Sequence, residues 1–425
     1  MRTARPAPPR WCCWGLTEPS CSQLSDPRNV LLQLQMRTRA QNHKQGQHYK
    51  VNPPAMQDTV PSNTMLRRID ASTSTTLRVN GQDLLSFAGT NLLGLAHHPE
   101  VLTAAQECLA RCGLSAAASR STSGNFAEHE NLEEALAEFL GLEATLILPS
   151  GWLANEAVMQ AYGDELDTVL VDGDAHASLW MSTTLTRAQV IDCGASDVTR
   201  THALLDRHRE QHLALLTDGL FPMQRRIAPL AEFLRLLPRK GILVVDDSHG
   251  LGFLGQGGRG SLNGAGISDP RAVMTGSMAK ALGAGGGFIA SSTGTIERIR
   301  RRADAFVGTT PIPPAVAAGA RAALQILERE PERVRRLRAH AARLTAIGKR
   351  LIQEDAEGRS PVLALPVSDQ TAGRALEQKL AAQGLYIPWT EYGGGPGALR
   401  VAVSSEHTTQ DLERLEEALL QHYQP

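Results

Sequence analysis

The sequence predicts an α/β fold: a large domain built on a mostly parallel sheet of seven strands, followed by a smaller C-terminal α+β domain. In the middle of the chain, short apolar runs alternate with segments of helical length. Their hydrophobicity is continuous, which indicates strands buried on both faces, as in a parallel sheet covered by helices. Polar residues collect where the runs end, the edge at which open α/β sheets bind ligands. The runs are 144–149, 168–173, 188–194, 213–219, 241–247, 272–277 and 286–292.

The composition is that of an ordinary globular protein. The chain has 425 residues, of which 42% are hydrophobic and 20% charged, and a formal net charge of -1. A charge this close to zero gives no general attraction to nucleic acid or to an anionic membrane, and no apolar run approaches the roughly 20 residues of a membrane helix. None of the six cysteines forms a CxxC pair. We therefore expect a reducing compartment, no disulfide framework and no metal site.

Residues 1–60 differ from the rest, being rich in Arg, Pro, Gln and Ser and poor in acids. This bias is typical of a disordered tail, of a mitochondrial transit peptide, or of a start codon placed too far upstream. We expect disorder without choosing among these causes. An N-terminal arm is expected over 61–100, with a short strand, a turn at Gly94 and a helix that begins near Pro99.

The large domain is expected over 100–305 and the small domain over 306–425. A helix with apolar residues from Leu132 to Leu140 precedes the first apolar run. A long helical stretch follows near 315–354, and two strands follow it. Thr408 and Asp411 resemble a capping box at the start of a final helix.

One lysine has a setting suited to covalent chemistry. Lys280 lies between an apolar run and a glycine-rich segment, with Ser277 three residues before it. A nucleophilic lysine must be neutral, which requires partial desolvation or nearby positive charge. A surface lysine beside a glycine loop fits the local pattern equally well.

A second group of polar residues follows the apolar run 241–247. Asp246 ends that run, and His249 lies three residues further on. A strand-end carboxylate can keep a ring nitrogen protonated, although a solvated acid and a turn histidine are also possible. The sequence 250–255 matches GxGxxG, but it continues as a glycine-rich loop instead of opening a helix. We therefore expect no dinucleotide site there.

Three further segments suggest contacts with an anion or a flat ring. Ser150, Gly151 and Trp152 follow a run and open a helix, whose N-terminus attracts anions. His176 follows another run, where its ring could stack on a planar cofactor. Arg400 lies in an apolar strand, so it needs an anionic partner, either a substrate carboxylate or an internal acid.

Taken together, these motifs resemble the α-oxoamine synthases, pyridoxal-phosphate enzymes of fold type I. The resemblance runs from about Leu66 to Leu419. Its segments occur in family order: NLLGLAHHPEV, SRSTSGNFAEHENLE, SGWLAN, DGDAHAS, IAPL, VDDSHGLGFLGQGGRG, SMAKALGAGGG, TTPIPPA and ALRVAVSSEHT.

The resemblance implies pyridoxal 5'-phosphate as cofactor and a role for each matching residue. Lys280 would bind the cofactor covalently and then move protons at Cα, while Asp246 would keep the pyridine nitrogen protonated. His249 would bond the phenolic oxygen, and His176 would stack on the ring. Asn155 would lie near the ring, and Arg400 and Asn91 would bind the substrate. The phosphate would be held by Ser150, Gly151, Trp152, Ser277 and, from the other subunit of a homodimer, Thr310.

The resemblance also implies the reaction, the condensation of a small α-amino acid with an acyl thioester, with loss of carbon dioxide. Within the family we expect the 8-amino-7-oxononanoate synthase type. The alternatives are another fold type I activity, such as aminotransfer or retro-aldol cleavage, and a non-catalytic regulatory subunit. The expected location is cytoplasmic, with mitochondrial import through residues 1–60 left open.

Two departures from the family pattern concern the substrates. Leu92 stands where the family has tyrosine, and Pro222 replaces a serine. Gln224, Arg225 and Arg226 replace an acidic turn. The two arginines could meet a phosphate-bearing acyl donor, but we expect a solvated turn.

Overall fold

The computed structural model describes residues 67–195, 197–352, 360–391 and 397–424. The tail predicted over residues 1–60 lies outside these ranges. The strands are, in chain order, β1 (Ile69–Ser72), β2 (Thr76–Val79), β3 (Gln82–Ser86), β4 (Ala144–Leu148), β5 (Thr168–Val171), β6 (Gln189–Asp192), β7 (Leu213–Asp218), β8 (Leu220–Phe221), β9 (Arg226–Ile227), β10 (Ile242–Asp246), β11 (Ala272–Ser277), β12 (Gly287–Ser291), β13 (Val362–Pro366), β14 (Leu385–Tyr386), β15 (Trp389–Thr390) and β16 (Ala398–Ala402).

The same ranges contain the α-helices. They are α1 (Pro99–Cys112), α2 (Ala127–Leu140), α3 (Gly151–Tyr162), α4 (Ala177–Ser182), α5 (Val198–Arg207), α6 (Leu230–Leu236), α7 (Ser261–Gly264), α8 (Met278–Ala281), α9 (Thr293–Arg302), α10 (Asp304–Val307), α11 (Pro314–Arg329), α12 (Glu332–Ile352), α13 (Gln370–Ala382) and α14 (Thr409–His422).

The main sheet has seven strands in the order β4-β12-β11-β10-β7-β5-β6. Each strand coincides with one of the seven apolar runs, so the predicted α/β fold with a mostly parallel sheet is confirmed. Only β12 runs antiparallel to its neighbours within this sheet. The other six strands therefore end at the same edge of the sheet.

Both faces of the main sheet are buried, which explains the continuous hydrophobicity of its strands. Alternate residues of a strand enter different cores: Leu215 and Leu243 face one side, and Leu216 and Val244 face the other. Helices α1, α2, α6 and α11 cover the first side, and α3, α4, α9 and α10 cover the second. This is the layered arrangement expected of a mostly parallel sheet.

Two smaller sheets are built from the N-terminal arm and the C-terminal part of the chain. The strands of the N-terminal arm form the sheet β1-β2-β3-β14, in which β14 comes from the C-terminal part. The second small sheet is β13-β16-β15, and it packs with α13 and α14 around a separate core that also contains Leu85 and Phe87. The domain limits at residues 60, 100 and 305 stay predictions.

Local sequence signals explain several element boundaries. Gly94 has a φ of 69°, which favours glycine at the predicted turn, and α1 begins at Pro99 as expected. The helical stretch near 315–354 is two helices, α11 and α12, separated by Glu330 and Pro331. Proline at 331 cannot donate the backbone hydrogen bond that would continue α11. The predicted capping box is present, since Thr408 and Asp411 each bond the other's backbone N–H.

Candidate active site

The predicted phosphate-binding residues come together where β4 and β11 end and β12 begins. Ser150 caps α3 by accepting a hydrogen bond from Leu153 N at 3.2 Å. A Cβ atom on Gly287 would lie 2.3 Å from the Ser150 carbonyl and 2.4 Å from Gly151 N. A Cβ atom on Gly151 would lie 3.1 Å from Ser277 Cβ. Glycine therefore lets the helix N-terminus, its N–H groups and the Ser277 side chain approach closely, a suitable arrangement for an anion.

The Asn155 amide is the centre of a buried hydrogen-bond network. Its Nδ2 donates to Asp246 Oδ2 and to Ser178 Oγ, both at 2.8 Å, and its Oδ1 accepts from Thr275 Oγ1 at 2.6 Å. Asn155 and Thr275 are fully buried, and Asp246 is 4% exposed. The network joins α3, β10 and β11, and it fixes the orientation of the strand-end carboxylate.

The second oxygen of the Asp246 carboxylate is also bonded. Asp246 Oδ1 accepts a hydrogen bond from Ser248 N at 3.0 Å, and Ser248 Oγ in turn accepts from Ser277 N at 2.9 Å. Each carboxylate oxygen thus has one donor, and each oxygen can accept another. A carboxylate held in this way can accept a further bond from a protonated ring nitrogen.

Lys280 and His249 have electrostatic surroundings that favour their neutral forms. Lys280 is half-buried on α8, and burial lowers its pKa; the positive charge of Arg400 lowers it further, while Asp246 and Asp218 oppose the effect. The pKa of His249 lies well below its usual value because of burial, with smaller contributions from Lys280 and Arg400. His249 Nδ1 is buried and has no hydrogen-bond partner among the described residues. Burial therefore shifts both groups toward their neutral forms, the amine of Lys280 and the imidazole of His249.

His176 is exposed at the start of α4, with its ring near the α3 N-terminus. The Trp152 and His176 rings are perpendicular, with centroids 5.9 Å apart. His176 Nδ1 lies 2.8 Å from Ser178 Oγ, and the His176 backbone N–H donates to Asp218 Oδ2 at 2.8 Å. Although the residue as a whole is exposed, the groups around the imidazole desolvate it and lower the pKa of His176, despite the opposing charge of Asp246. The residue is exposed, so a planar group could stack on its ring.

The predicted substrate-binding residues lie on the small-domain side of the lysine. Arg400 is half-buried on β16 and donates to the Gly89 carbonyl at 3.4 Å. Within the described residues it pairs with no carboxylate, which disfavours the internal salt bridge. Asn91 Oδ1 accepts a hydrogen bond from Ala96 N, and Asn91 Nδ2 is buried without a partner in the described chain. The next residue, Leu92, donates its backbone N–H to the Lys280 carbonyl at 3.1 Å.

Thr310 is exposed and lies apart from this network, before α11. Its assignment to the active site of a second subunit stays a prediction. The GxGxxG match at 250–255 opens no long helix; it continues through a short 3-10 turn and the bridge between Leu251 and Arg259. The segment therefore does not open the helix that a dinucleotide fingerprint requires, and the absence of a dinucleotide site stays a prediction.

The turn at 224–226 differs from the expectation of a solvated turn. Arg225 is 4% exposed and donates to Thr345 Oγ1. Arg226 Nη2 donates to both carboxylate oxygens of Asp172 at 3.0 and 3.1 Å, and its guanidinium carbon lies 3.6 Å from the centre of the Phe221 ring. Internal partners thus occupy these arginines, which leaves them poorly placed to meet a phosphate on an acyl donor.

Sequence reasoning missed four residues of the site. Ser178, Ser248 and Thr275 bond the Asn155–Asp246 network, and the carboxylate of Asp218 holds the backbone of His176. Asp218 ends the apolar run 213–219, so the signal that marked Asp246 also applied to it. Burial, followed by the charge of Asp246, raises the pKa of Asp218 well above its usual value.

Comparison with known proteins identifies the family. Residues 82–419 match the family "Aminotransferase class I and II". A putative 8-amino-7-oxononanoate synthase of Desulforudis audaxviator is 35% identical over 358 residues, covering 83% of this chain and 93% of the relative. The 8-amino-7-oxononanoate synthase of Methylorubrum extorquens is 38% identical over 349 residues, covering 80% and 86%. The chain belongs to the α-oxoamine synthase family.

Solved structures of the family agree with this fold. Serine palmitoyltransferase from S. paucimobilis, solved with PLP and myriocin bound, superposes with a TM-score of 0.78 at 25% identity, covering 84% of this chain and 92% of that chain. An 8-amino-7-oxononanoate synthase from Francisella tularensis has a TM-score of 0.68 at 21% identity, covering 80% and 97%, and so supports the fold alone.

The α-oxoamine synthase site fits pyridoxal phosphate, the cofactor of the family. The unpartnered Nδ1 of His249 matches a phenolic oxygen, and the bonded carboxylate of Asp246 matches a pyridinium nitrogen. The glycine-lined N-terminus of α3 matches a phosphate. The protein is therefore a PLP-dependent acyltransferase. Within the described residues, no helix is long and apolar enough to cross a membrane.

Proposed function

We propose that this α-oxoamine synthase is of the 8-amino-7-oxononanoate synthase type, joining L-alanine to a pimeloyl thioester with loss of carbon dioxide. The observation that carries the proposal is that Lys280, Asp246 and His176 lie together at one edge of the main sheet. The chain is also 35% identical to a relative described as a putative 8-amino-7-oxononanoate synthase. Sulfur leaves the thioester as a free thiol, and the carboxyl group of the amino acid leaves as carbon dioxide.

The residues that would hold the cofactor follow from their contacts. Bound pyridoxal phosphate supplies an aldehyde that condenses with an amine and a ring that accepts electrons from Cα. The Asp246 carboxylate, oriented by Asn155 and Ser248, would keep the pyridine nitrogen protonated. The His176 ring would pack on the cofactor ring, and the neutral His249 would bond the phenolic oxygen. Ser150, Gly151, Trp152 and Ser277 would surround the phosphate.

Lys280 would hold the cofactor and then carry the proton. Burial lowers its pKa and so favours the neutral amine, the form that attacks a carbonyl and abstracts a proton. After the substrate amine takes its place, the freed Nζ can accept the Cα proton and later return a proton to the product. The Asp246 and Asp218 charges stabilise the ammonium form that this transfer creates.

Arg400 would bind the substrate carboxylate. It is half-buried, it pairs with no carboxylate in the described residues, and it acts electrostatically on both Lys280 and His249. The buried, unpartnered Nδ2 of Asn91 offers a further donor beside the Lys280 segment. An amino acid held here would have its Cα near the lysine.

A thiol-release assay tests the proposed reaction. Purified protein with PLP is incubated with alanine, glycine or serine and with pimeloyl-, acetyl- or palmitoyl-CoA, and free thiol and carbon dioxide are measured. We expect both products in equal amounts, fastest with alanine and pimeloyl-CoA, and none with Lys280→Ala. Preference for serine with palmitoyl-CoA would refute the assignment, and keto acid without thiol would favour aminotransfer.

A homodimer with shared sites and a cytoplasmic location complete the proposal. Thr310 is exposed, as a residue offered to a second subunit must be. Mixing Lys280→Ala with Thr310→Ala chains tests the sharing. If Lys280 and Thr310 serve one site from different chains, a mixed dimer contains one site in which both residues are intact. That site should bind the cofactor with wild-type affinity, which is not expected if both residues come from the same chain.

A further inference from the structure

A group of possible metal ligands lies away from the candidate active site. Cys108 and Cys112 are one helical turn apart on α1, and Glu128 lies in the first turn of α2. One ligand atom from each of the three residues lies within 4.8 Å of the other two. Cys108 is buried, at 1% exposure, while Cys112 and Glu128 are half-buried, so one side stays open to solvent.

We propose that Cys108, Cys112 and Glu128 form a binding site for one soft divalent cation of the Zn²⁺ class. Thiolates select such ions over Mg²⁺ and Ca²⁺, and a Cys-x₃-Cys spacing falls within the range found in zinc sites. Three protein ligands leave a fourth tetrahedral position for water on the exposed side. The earlier expectation of no metal considered only CxxC spacing and could not include Glu128.

The distances and charges suit this assignment. Tetrahedral zinc places two sulfurs, or a sulfur and an oxygen, roughly 3.5 to 3.8 Å apart. The three atoms must therefore approach one another by no more than about 1.3 Å, which side-chain rotation supplies. Arg111 pairs with the Glu128 carboxylate and would orient it as a ligand. Two thiolates, one carboxylate and this arginine sum to a charge of two minus, which a divalent ion neutralises.

The site would also close a loop. Cys112 is the last residue of α1, and Glu128 is the second residue of α2, so the ligands flank residues 113–126. A bound ion would therefore connect the end of α1 to the start of α2.

Cobalt binding to the full chain tests the proposal. The background variant replaces Cys12, Cys13, Cys21 and Cys193 by serine, which leaves only the two helix cysteines. The chelator-treated holoenzyme is titrated with Co²⁺, and the thiolate-to-cobalt absorption is measured as a difference spectrum. We expect one ion per chain, about 100-fold weaker binding in Cys112→Ser, and about 10-fold weaker binding in Arg111→Gln. Zn²⁺ should raise the Tm of the background variant but not that of Cys112→Ser.

Three results would overturn the proposal. Unchanged Co²⁺ affinity in Cys112→Ser would place the binding elsewhere. No thiolate-to-cobalt absorption in the background variant would mean that the three side chains do not ligate. Thiols can also be counted in the background variant purified in air, before and after a reductant is added. If the reductant restores two thiols per chain, Cys108 and Cys112 form a disulfide instead. Because Cys112 is half-buried at a helix end, its serine variant should fold even if Cys108→Ser does not.

Discussion

Replacing Asp247 by asparagine should stabilise the protein at high pH. Asp247 is fully buried, its Oδ2 accepts from Ser261 N at 2.7 Å, and its Oδ1 has no hydrogen bond within the described chain. A Cβ atom on Gly219 would lie 2.4 Å from both Asp247 Oδ1 and Ser261 Oγ, so these two oxygens lie together in a tightly packed space. The asparagine oxygen can keep the first bond, and its NH₂ can donate to Ser261 Oγ.

The size of this gain in folding stability follows from the pKa of Asp247. Burial raises the pKa of Asp247 to about 7, from 3.8 in an unperturbed chain. The folded state therefore binds more protons than the unfolded state between these values, so stability falls as pH rises from 3.8 to 7 and is level above. The raised pKa of Asp247 therefore costs about 4 kcal/mol of stability at pH 8, where the buried group is ionised, and about 2 kcal/mol at pH 5, where only the unfolded chain ionises it. Relative to the wild type, Asp247→Asn should gain about 2 to 3 kcal/mol between pH 5 and pH 8.

Urea unfolding of the apoenzyme from pH 5 to pH 8 measures this gain. Asp269→Asn is a matched control of opposite sign, because hydrogen bonds from Arg271 lower the pKa of Asp269. That variant should be destabilised by the same amount at every pH from 5 to 8, because Asp269 loses its stabilising effect only as pH falls below about 3.8. A stability difference between Asp247→Asn and wild type that is the same at every pH would refute the reasoning.

Three further predictions concern the site and one helix. Arg400→Gln removes a positive charge that lowers the pKa of Lys280, so the pH dependence of the rate at which the apoenzyme binds PLP should shift to higher pH. A profile that does not shift would contradict this electrostatic link. Asn155→Ala leaves buried polar partners unpaired and should weaken PLP binding about 10-fold or more by fluorescence titration; unchanged affinity would exclude a positioning role. Thr408→Ala should cost about 1 kcal/mol in urea unfolding, whereas Thr409→Ala at the next position should cost less; equal losses would argue against the cap.

The sequence predicted the main sheet because burial on both faces leaves a local signature. Each of the seven apolar runs became a strand, and the polar ends of the six parallel strands met at one edge. The α11–α12 break at Pro331 follows equally local chemistry. What the patterns could not give was the pairing of β14 with β3, since a two-residue strand has no signature of its own.

The candidate site was predicted through acids and histidines at strand ends, and its supporting bonds were not. Asn155, Asp246 and Thr275 bond across about 90 to 120 residues of chain, and such bonds depend on how neighbouring elements are aligned in three dimensions. Arg225 and Arg226 looked solvated because their partners, Thr345 and Asp172, lie far away in the sequence.

The candidate active-site residues lie at one edge of the main sheet, and the opposite edge is away from them. There the turns 163–167, 208–212 and 265–271 lead into β5, β7 and β11. Residues 266, 268 and 270 are exposed, and Gly266 has a φ of 67°. A short peptide tag or a fluorophore attached at this turn would be separated from the reacting atoms by the length of a strand. The fold thus offers a handle for immobilising or labelling the enzyme while it works.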